Sequence, residues 1–334
     1  MALSAAGARR THAPGPLLVA LGLGLVLFVI GARAAGLGET AWAQTFVLIF
    51  TSIVVEALPF ILLGALVSAV IEVYVPDRWF TTIARLPAPL QMPAAALGGV
   101  LMPVCECGSV PVARRLVTRG LHPGAGVAFM LASPILNPVV LASTLLAYSG
   151  RGAGLQMVLG RAGLGLVLAL VGGWALGGDS GAELLRRRPE EDAVVGHAAP
   201  NARRAALVEH LAGDFFFMGR FIVIGAALAA ALQTVIPQSL VSGVATTPVV
   251  GSLALMGLAF VLSLCSEADA FVAVSFVGFP LGAQLAFLVF GPVVDAKLTL
   301  LYGATFRRRF AARLAVVAVP VVLAGSLWFE VVIR

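Results

Sequence analysis

Apolar runs long enough to cross a bilayer recur along this chain, separated by short stretches where proline, glycine and acidic residues crowd together. The run Pro16–Ile30 is followed by spans predicted at Gln44–Val75, Gly124–Tyr148, Leu155–Leu176, Phe215–Ile236, Ala283–Phe306 and Leu314–Val332. Two further apolar segments, Leu90–Pro111 and Pro248–Val274, are different in kind. In the first, Pro93, Gly98, Gly99, Pro103, Gly108 and Pro111 supply the breaks that a re-entrant hairpin needs. The pattern predicts an all-α polytopic membrane protein: about eight transmembrane helices plus two re-entrant or broken helical hairpins, within a single domain over residues 1–334.

The pattern also repeats. Phe60, Gly64, Ala65, Pro76 and Glu106 lie over Phe221, Gly225, Ala226, Pro237 and Glu267 at one offset (267 − 106 = 161), and Gly120, Ala128, Phe129, Pro134 and Asn137 lie over Gly278, Ala286, Phe287, Pro292 and Asp295 at a second (295 − 137 = 158). We read residues 44–177 as repeat 1, 178–213 as a linker and 214–331 as repeat 2.

Composition bounds the class: 60% of residues are hydrophobic, 11% are charged, and the mean hydropathy is +1.02, whereas soluble domains are about 45–50% apolar and about 25% charged. The net charge of +6 would suggest nucleic acid in a soluble protein, but here the arginines cluster between apolar spans, where they mark the cytoplasmic side. No nucleic-acid partner is expected. Arg186, Arg187, Arg188, Arg203 and Arg204 place the linker inside, and Arg114, Arg115 and Arg119 do the same for the end of the first hairpin. With Arg9 and Arg10 inside, the N-terminus is cytoplasmic and Pro16–Ile30 is an uncleaved first helix, although Ala32-Arg33-Ala34 could pass for a cleavage site. Equivalent segments then run in opposite directions, so the repeat is inverted, an arrangement that sets a binding site between two facing hairpins near the midplane.

The candidate chemistry sits at the breaks. A carboxylate at the bilayer centre costs about 2.5–3.5 kcal/mol on insertion scales, so Glu106, Glu267, Asp269 and Asp295 call for an explanation. They cap broken helices, or they bind and exchange ions. A proton-coupled carrier needs carboxylates that take up and release protons near physiological pH. Glu106 and Glu267 fit first, with Glu56, beside Pro59, as a further intramembrane acid. Cys105, Cys107 and Cys265 form no even-numbered disulfide set. As thiolates they suit soft ions or trivalent metalloids, which makes Cys105 and Cys107 candidate metal ligands. As thiols they are small apolar residues. Asn137 and Asp295 follow Pro134 and Pro292, and they either satisfy freed backbone or coordinate an ion; Lys297 can neutralise Asp295. Pro103, Gly108, Pro111, Pro134, Pro138 and Pro292 are the predicted hinges or helix breaks. Arg114, Arg115 and Arg119 anchor topology or form an anion-attracting vestibule. No nucleotide-binding loop is present, and no cofactor is expected.

Met102-Pro103-Val-Cys105-Glu106-Cys107-Gly108-Ser-Val-Pro111-Val-Ala-Arg114-Arg115-Leu116, followed by Ala128-Phe129-Met-Leu-Ala-Ser-Pro134-Ile-Leu-Asn137-Pro138, resembles the predicted-permease family that includes the organoarsenical efflux permease ArsP. The resemblance runs from Gln44 to Tyr302. It implies a bacterial inner-membrane permease, with metalloid resistance among the functions of its relatives and, for some, a second small membrane subunit. The expected function is proton-coupled efflux of a small soft solute, such as a trivalent organoarsenical or a metal ion, by alternating access and without enzymatic chemistry. The alternatives are a membrane thiol oxidoreductase using Cys105, Cys107 and Cys265, or a passive channel.

Overall fold

The computed structural model describes residues 41–75, 86–102, 104–178, 184–186, 200–235 and 247–333. Pro16–Ile30, Pro76, Pro103, Pro237 and half of the linker lie outside the described residues. Contacts divide the chain after Leu48, and everything below concerns the unit Ile49–Arg334 apart from the start of the first helix.

The regular secondary structure among the described residues is helical, apart from one isolated bridge between Leu185 and Phe306. The helices are α1 (Ala41–Tyr74), α2 (Ala88–Leu101), α3 (Glu106–Thr118), α4 (Pro123–Leu136), α5 (Pro138–Ser149), α6 (Gly154–Leu176), α7 (Pro200–Val235), α8 (Pro248–Leu262), α9 (Asp269–Ala273), α10 (Leu281–Phe290), α11 (Ala296–Thr305) and α12 (Phe310–Ile333). Among the described residues, five stretches are long and apolar enough to cross a membrane: Trp42–Tyr74, Pro123–Ser149, Gly154–Leu176, Arg203–Thr234 and Phe310–Ile333; α2, α8 and α10 are shorter apolar helices. Large apolar side chains such as Leu62, Trp174, Val316 and Trp328 are exposed, as expected where lipid replaces water as the surrounding medium. Helix α7 begins at Pro200, so part of the stretch read as linker is helical and continuous with the following span.

Glycine contacts fix the helix directions. An added Cβ on Gly124 would meet Met92, and one on Gly99 would meet Phe129 and Ser133, so α2 runs parallel to α4. Helix α3 runs back: Ser133 Oγ donates to the Val104 carbonyl at 3.1 Å, and Gly126 lies against Ala113 and Val117. The Gln91 side chain accepts from the His122 N–H at 2.9 Å, so the segment returns to the end of α4 where it began. In the second half, Gly251 faces Phe279 and Ala283 while Gly291 faces Ala259, which sets α8 parallel to α10 in the same way.

Helix ends keep the offsets found in the sequence. Leu101 and Leu262 end α2 and α8 (262 − 101 = 161), and Pro138 and Ala296 open α5 and α11 (296 − 138 = 158). Helices α6 and α12 run antiparallel, with Gly160 against Phe329 and Gly325 against Leu164. Helices α1 and α7 do the same: Ser68 meets Asp214 near the start of α7, whereas the earlier residues Glu56 and Phe60 border the cavity shared with Lys297, whose Cα abuts Gly225 farther along α7.

Candidate functional site

Two backbone breaks meet at the centre. The first, between Leu101 and Glu106, ends α2 and starts α3, so Glu106 is the first residue of a helix, where its negative charge is favoured by the exposed N–H groups. The close approach of α3 to α1 requires glycine on both sides: a Cβ on Gly64 would sit 2.4 Å from the Gly108 Cα. The second break, Ser263–Ala268, follows α8. Ser263 adopts a left-handed backbone at φ 48, an unfavourable conformation for a residue with a Cβ. Its carbonyl accepts from Lys297 Nζ at 3.0 Å, and its hydroxyl accepts from the Ala296 N–H at 3.2 Å.

Glu106 is 1% exposed, and its two oxygens engage two parts of the second half. Oε1 accepts from Lys297 Nζ at 2.9 Å, and Oε2 accepts from Ser266 Oγ at 3.0 Å. Glu267 is half-buried and accepts from the Cys265 thiol at 2.8 Å; Ser266 Oγ lies 3.4 Å from the same oxygen. A single hydroxyl proton serves one acceptor at a time, and the shorter distance assigns it to Glu106. Lys297 also approaches Asp295 Oδ2 at 3.6 Å. The neutralisation expected for Asp295 is thus shared with Glu106, which lies nearer the same ammonium.

A small cavity of about 20 Å³, room for a water-sized guest, opens here, bordered by Ile53, Glu56, Cys105, Cys107, Cys265 and Lys297 among others. Glu56 has no hydrogen-bond or salt-bridge partner among the described residues. Ligand atoms of Glu106, Cys265 and Glu267 all lie within 4.8 Å of one another, a spacing that could hold a metal ion. Cys105 and Cys107 border the cavity without belonging to that group, and all three cysteines are free thiols.

Of the remaining predicted residues, Asp295 keeps contact with this cluster through Lys297, whereas Asn137 and Asp269 lie outside it. Asn137 caps α5 by accepting from the Val139 N–H at 2.9 Å, and Asp295 caps α11 by accepting from the Leu298 N–H at 2.6 Å. Pro138 is at the first position of α5, and Pro292 lies in the break before Asp295. Gly108, Pro111 and Pro134 fall inside α3 and α4, which continue through them. Each proline there withholds one N–H without ending its helix. Asp269 lies apart from Lys297 and is held by Arg161, whose Nη1 and Nη2 donate to its two oxygens at 2.8 and 2.7 Å.

Arg161 escaped the sequence reading. It is wholly buried in α6 and also donates to Thr144 Oγ1 at 2.9 Å and to the Ser266 carbonyl at 3.2 Å. The available signal was a lone arginine in the middle of an apolar span, which is rarely tolerated without a partner. The three arginines that follow the first break are also tied to the protein. Arg115 pairs with Glu72 at 3.0 Å and Asp214 at 3.2 Å, Arg119 pairs with Glu72 at 3.3 Å, and Arg114 donates to the Thr305 carbonyl at 3.2 Å.

A family described as predicted permease matches residues 42–331 of this chain. The UPF0718 protein YcgR of Bacillus subtilis (strain 168) is 42% identical over 285 residues, which cover 84% of this chain and 95% of that protein. A Streptococcus mutans protein named "Putative two-component membrane permease complex subunit" is 33% identical over 270 residues, covering 78% of this chain and 87% of its own length. No solved structure matches.

Proposed function

The chain belongs to the predicted-permease family, and from that premise we propose that it is a proton-coupled secondary carrier that exports a small soft solute, such as a trivalent organoarsenical or a metal ion, by alternating access. One observation carries this reading: the break that bears Glu106 and the break that bears Ser266 come from different halves of the chain and touch at 3.0 Å beside a thiol-lined cavity. The matching helix ends and the antiparallel courses of α1 against α7 and α6 against α12 support an inverted repeat. In such an arrangement, relative motion of the halves exposes the contact to one side and then the other. The cavity is too small for an organoarsenical, so the described conformation is a closed state that must widen to load. Among the described residues Glu267 and Glu56 form no ion pair, which makes them the carboxylates best placed to carry protons. The arginine-rich side faces the cytoplasm of a bacterial inner membrane.

Everted vesicles test the proposal. Proton-gradient-dependent uptake is measured for methylarsenite, arsenite, Zn²⁺ and Cu⁺ with wild type, Glu106→Gln, Glu267→Gln and Cys105→Ser/Cys107→Ser. Uptake of one compound that both Gln variants abolish is the expected result. Uptake that persists in both variants would remove the carboxylates from the mechanism, and uptake indifferent to the gradient would indicate a channel. The name of the Streptococcus mutans relative supports a second reading, that a partner subunit is required. In that case wild-type flux appears only on co-expression of the partner.

A further inference from the structure

The charge around the cavity is unbalanced. Glu56, Glu106, Glu267 and Asp295 gather at or beside it, and Lys297 is the single ammonium among them in the described residues. Arg161 is committed to Asp269 and contributes nothing to this balance. Asp295 Oδ2 is fully buried with no hydrogen-bond partner and faces the same ammonium as Glu106. Glu106 and Asp295 are the fully buried members and share that one ammonium, so this end of the cluster is short of positive charge unless a carboxyl is protonated or a further cation binds. The repeat partner of Lys297 is Val139 (297 − 158 = 139), so the second half supplies a tethered cation where the first half has an apolar side chain.

We propose that Glu106, Cys265 and Glu267 form a binding site for a divalent cation of intermediate softness, and that Lys297 is a built-in competitor that occupies the Glu106 end of the site until the ion displaces it. The inference rests on the carrier reading and narrows its cargo to cations. Two carboxylates and one thiolate match ions of the zinc and cadmium class better than magnesium or calcium, which take oxygen ligands. Binding converts the Cys265 thiol to a thiolate and releases its proton to solvent. Cys105 and Cys107 border the cavity outside the ligand set.

The test is equilibrium binding of Cd²⁺ to the purified full-length chain in detergent, read by the ultraviolet thiolate-to-cadmium charge-transfer band, with Zn²⁺ as competitor. One Cd²⁺ per chain is expected, its band retained in Cys105→Ser/Cys107→Ser and lost in Cys265→Ser. Lys297→Met should bind at least about tenfold more tightly, because the competing ammonium is gone. A purely structural lysine predicts equal or weaker binding, and that result would overturn the competitor role. A band that follows Cys105 and Cys107, or no binding by folded wild type, would overturn the site. If Lys297→Met fails to fold, Lys297→Gln supplies the competitor test, and wild type against Cys265→Ser still decides the site. Because binding is measured without a gradient, the two readings fail separately: cadmium bound without flux removes the carrier, and flux without cadmium binding removes the cation site.

Discussion

Arg161→Met would delete a cation that donates four hydrogen bonds, two of them to Asp269, while leaving that carboxylate 3% exposed. Breaking a buried ion pair from one side costs about 3–5 kcal/mol, which is roughly two to three and a half powers of ten in the unfolding constant. A typical polar contact within membrane helices is worth only about 0.6 kcal/mol. The larger figure should hold here because the abandoned partner is a charge without access to water. The double variant Arg161→Met/Asp269→Leu should return to within about 1 kcal/mol of wild type, since an apolar pair of similar volume often replaces a buried ion pair without loss. Transport should remain impaired in the double variant, because the Ser266 carbonyl has lost the donor that holds its break in place. Equilibrium unfolding in mixed micelles, followed by helical circular dichroism, reads both stabilities. A single variant as stable as wild type, or a double variant as unstable as the single, would refute the argument.

Gly108→Ala places a methyl 2.6 Å from Val104 Cγ1 and 2.9 Å from the Gly64 Cα; it should destabilise by about 1–3 kcal/mol, and adding Val104→Ala should recover only part of that, because the Gly64 backbone cannot yield. Asn137→Ala should cost about 1 kcal/mol through loss of the α5 cap and leave solute affinity unchanged; a vesicle assay showing lost affinity would make Asn137 a ligand. If the cysteines carried out thiol exchange, single Cys→Ser variants would accumulate mixed disulfides with a small thiol in the presence of oxidant. The carrier reading predicts none, as non-reducing mass spectrometry can check.

The places where the helices break were legible because they depend on local chemistry. Proline, glycine and a polar side chain in succession leave the backbone few choices, and Asn137 and Asp295 cap helices for that reason. The partners across the site were less legible. Lys297 stands two positions from Asp295 in sequence, yet its ammonium lies closer to Glu106, 191 residues away, and no local pattern encodes a contact made by packing two halves together. Gly108, Pro111 and Pro134 signal a break by residue type but sit inside helices. Where neighbouring helices enclose the backbone, a missing N–H is tolerated. Arg161 was passed over because hydropathy averages over a span and hides one charged residue within it.

The bridge between Leu185 and Phe306 has a practical consequence for cutting the polypeptide. The Arg186 N–H donates to the Thr305 carbonyl at 3.0 Å, and the Arg307 N–H donates to the Leu184 carbonyl at 3.1 Å. The strip that leaves the first half therefore fastens the end of α11. Two separately expressed fragments divided just after Arg186 would keep this fastening on the first fragment and should reassemble in the membrane. Fragments divided before Leu184 would carry the strip and α11 on the same piece, so the bridge would no longer join the two fragments.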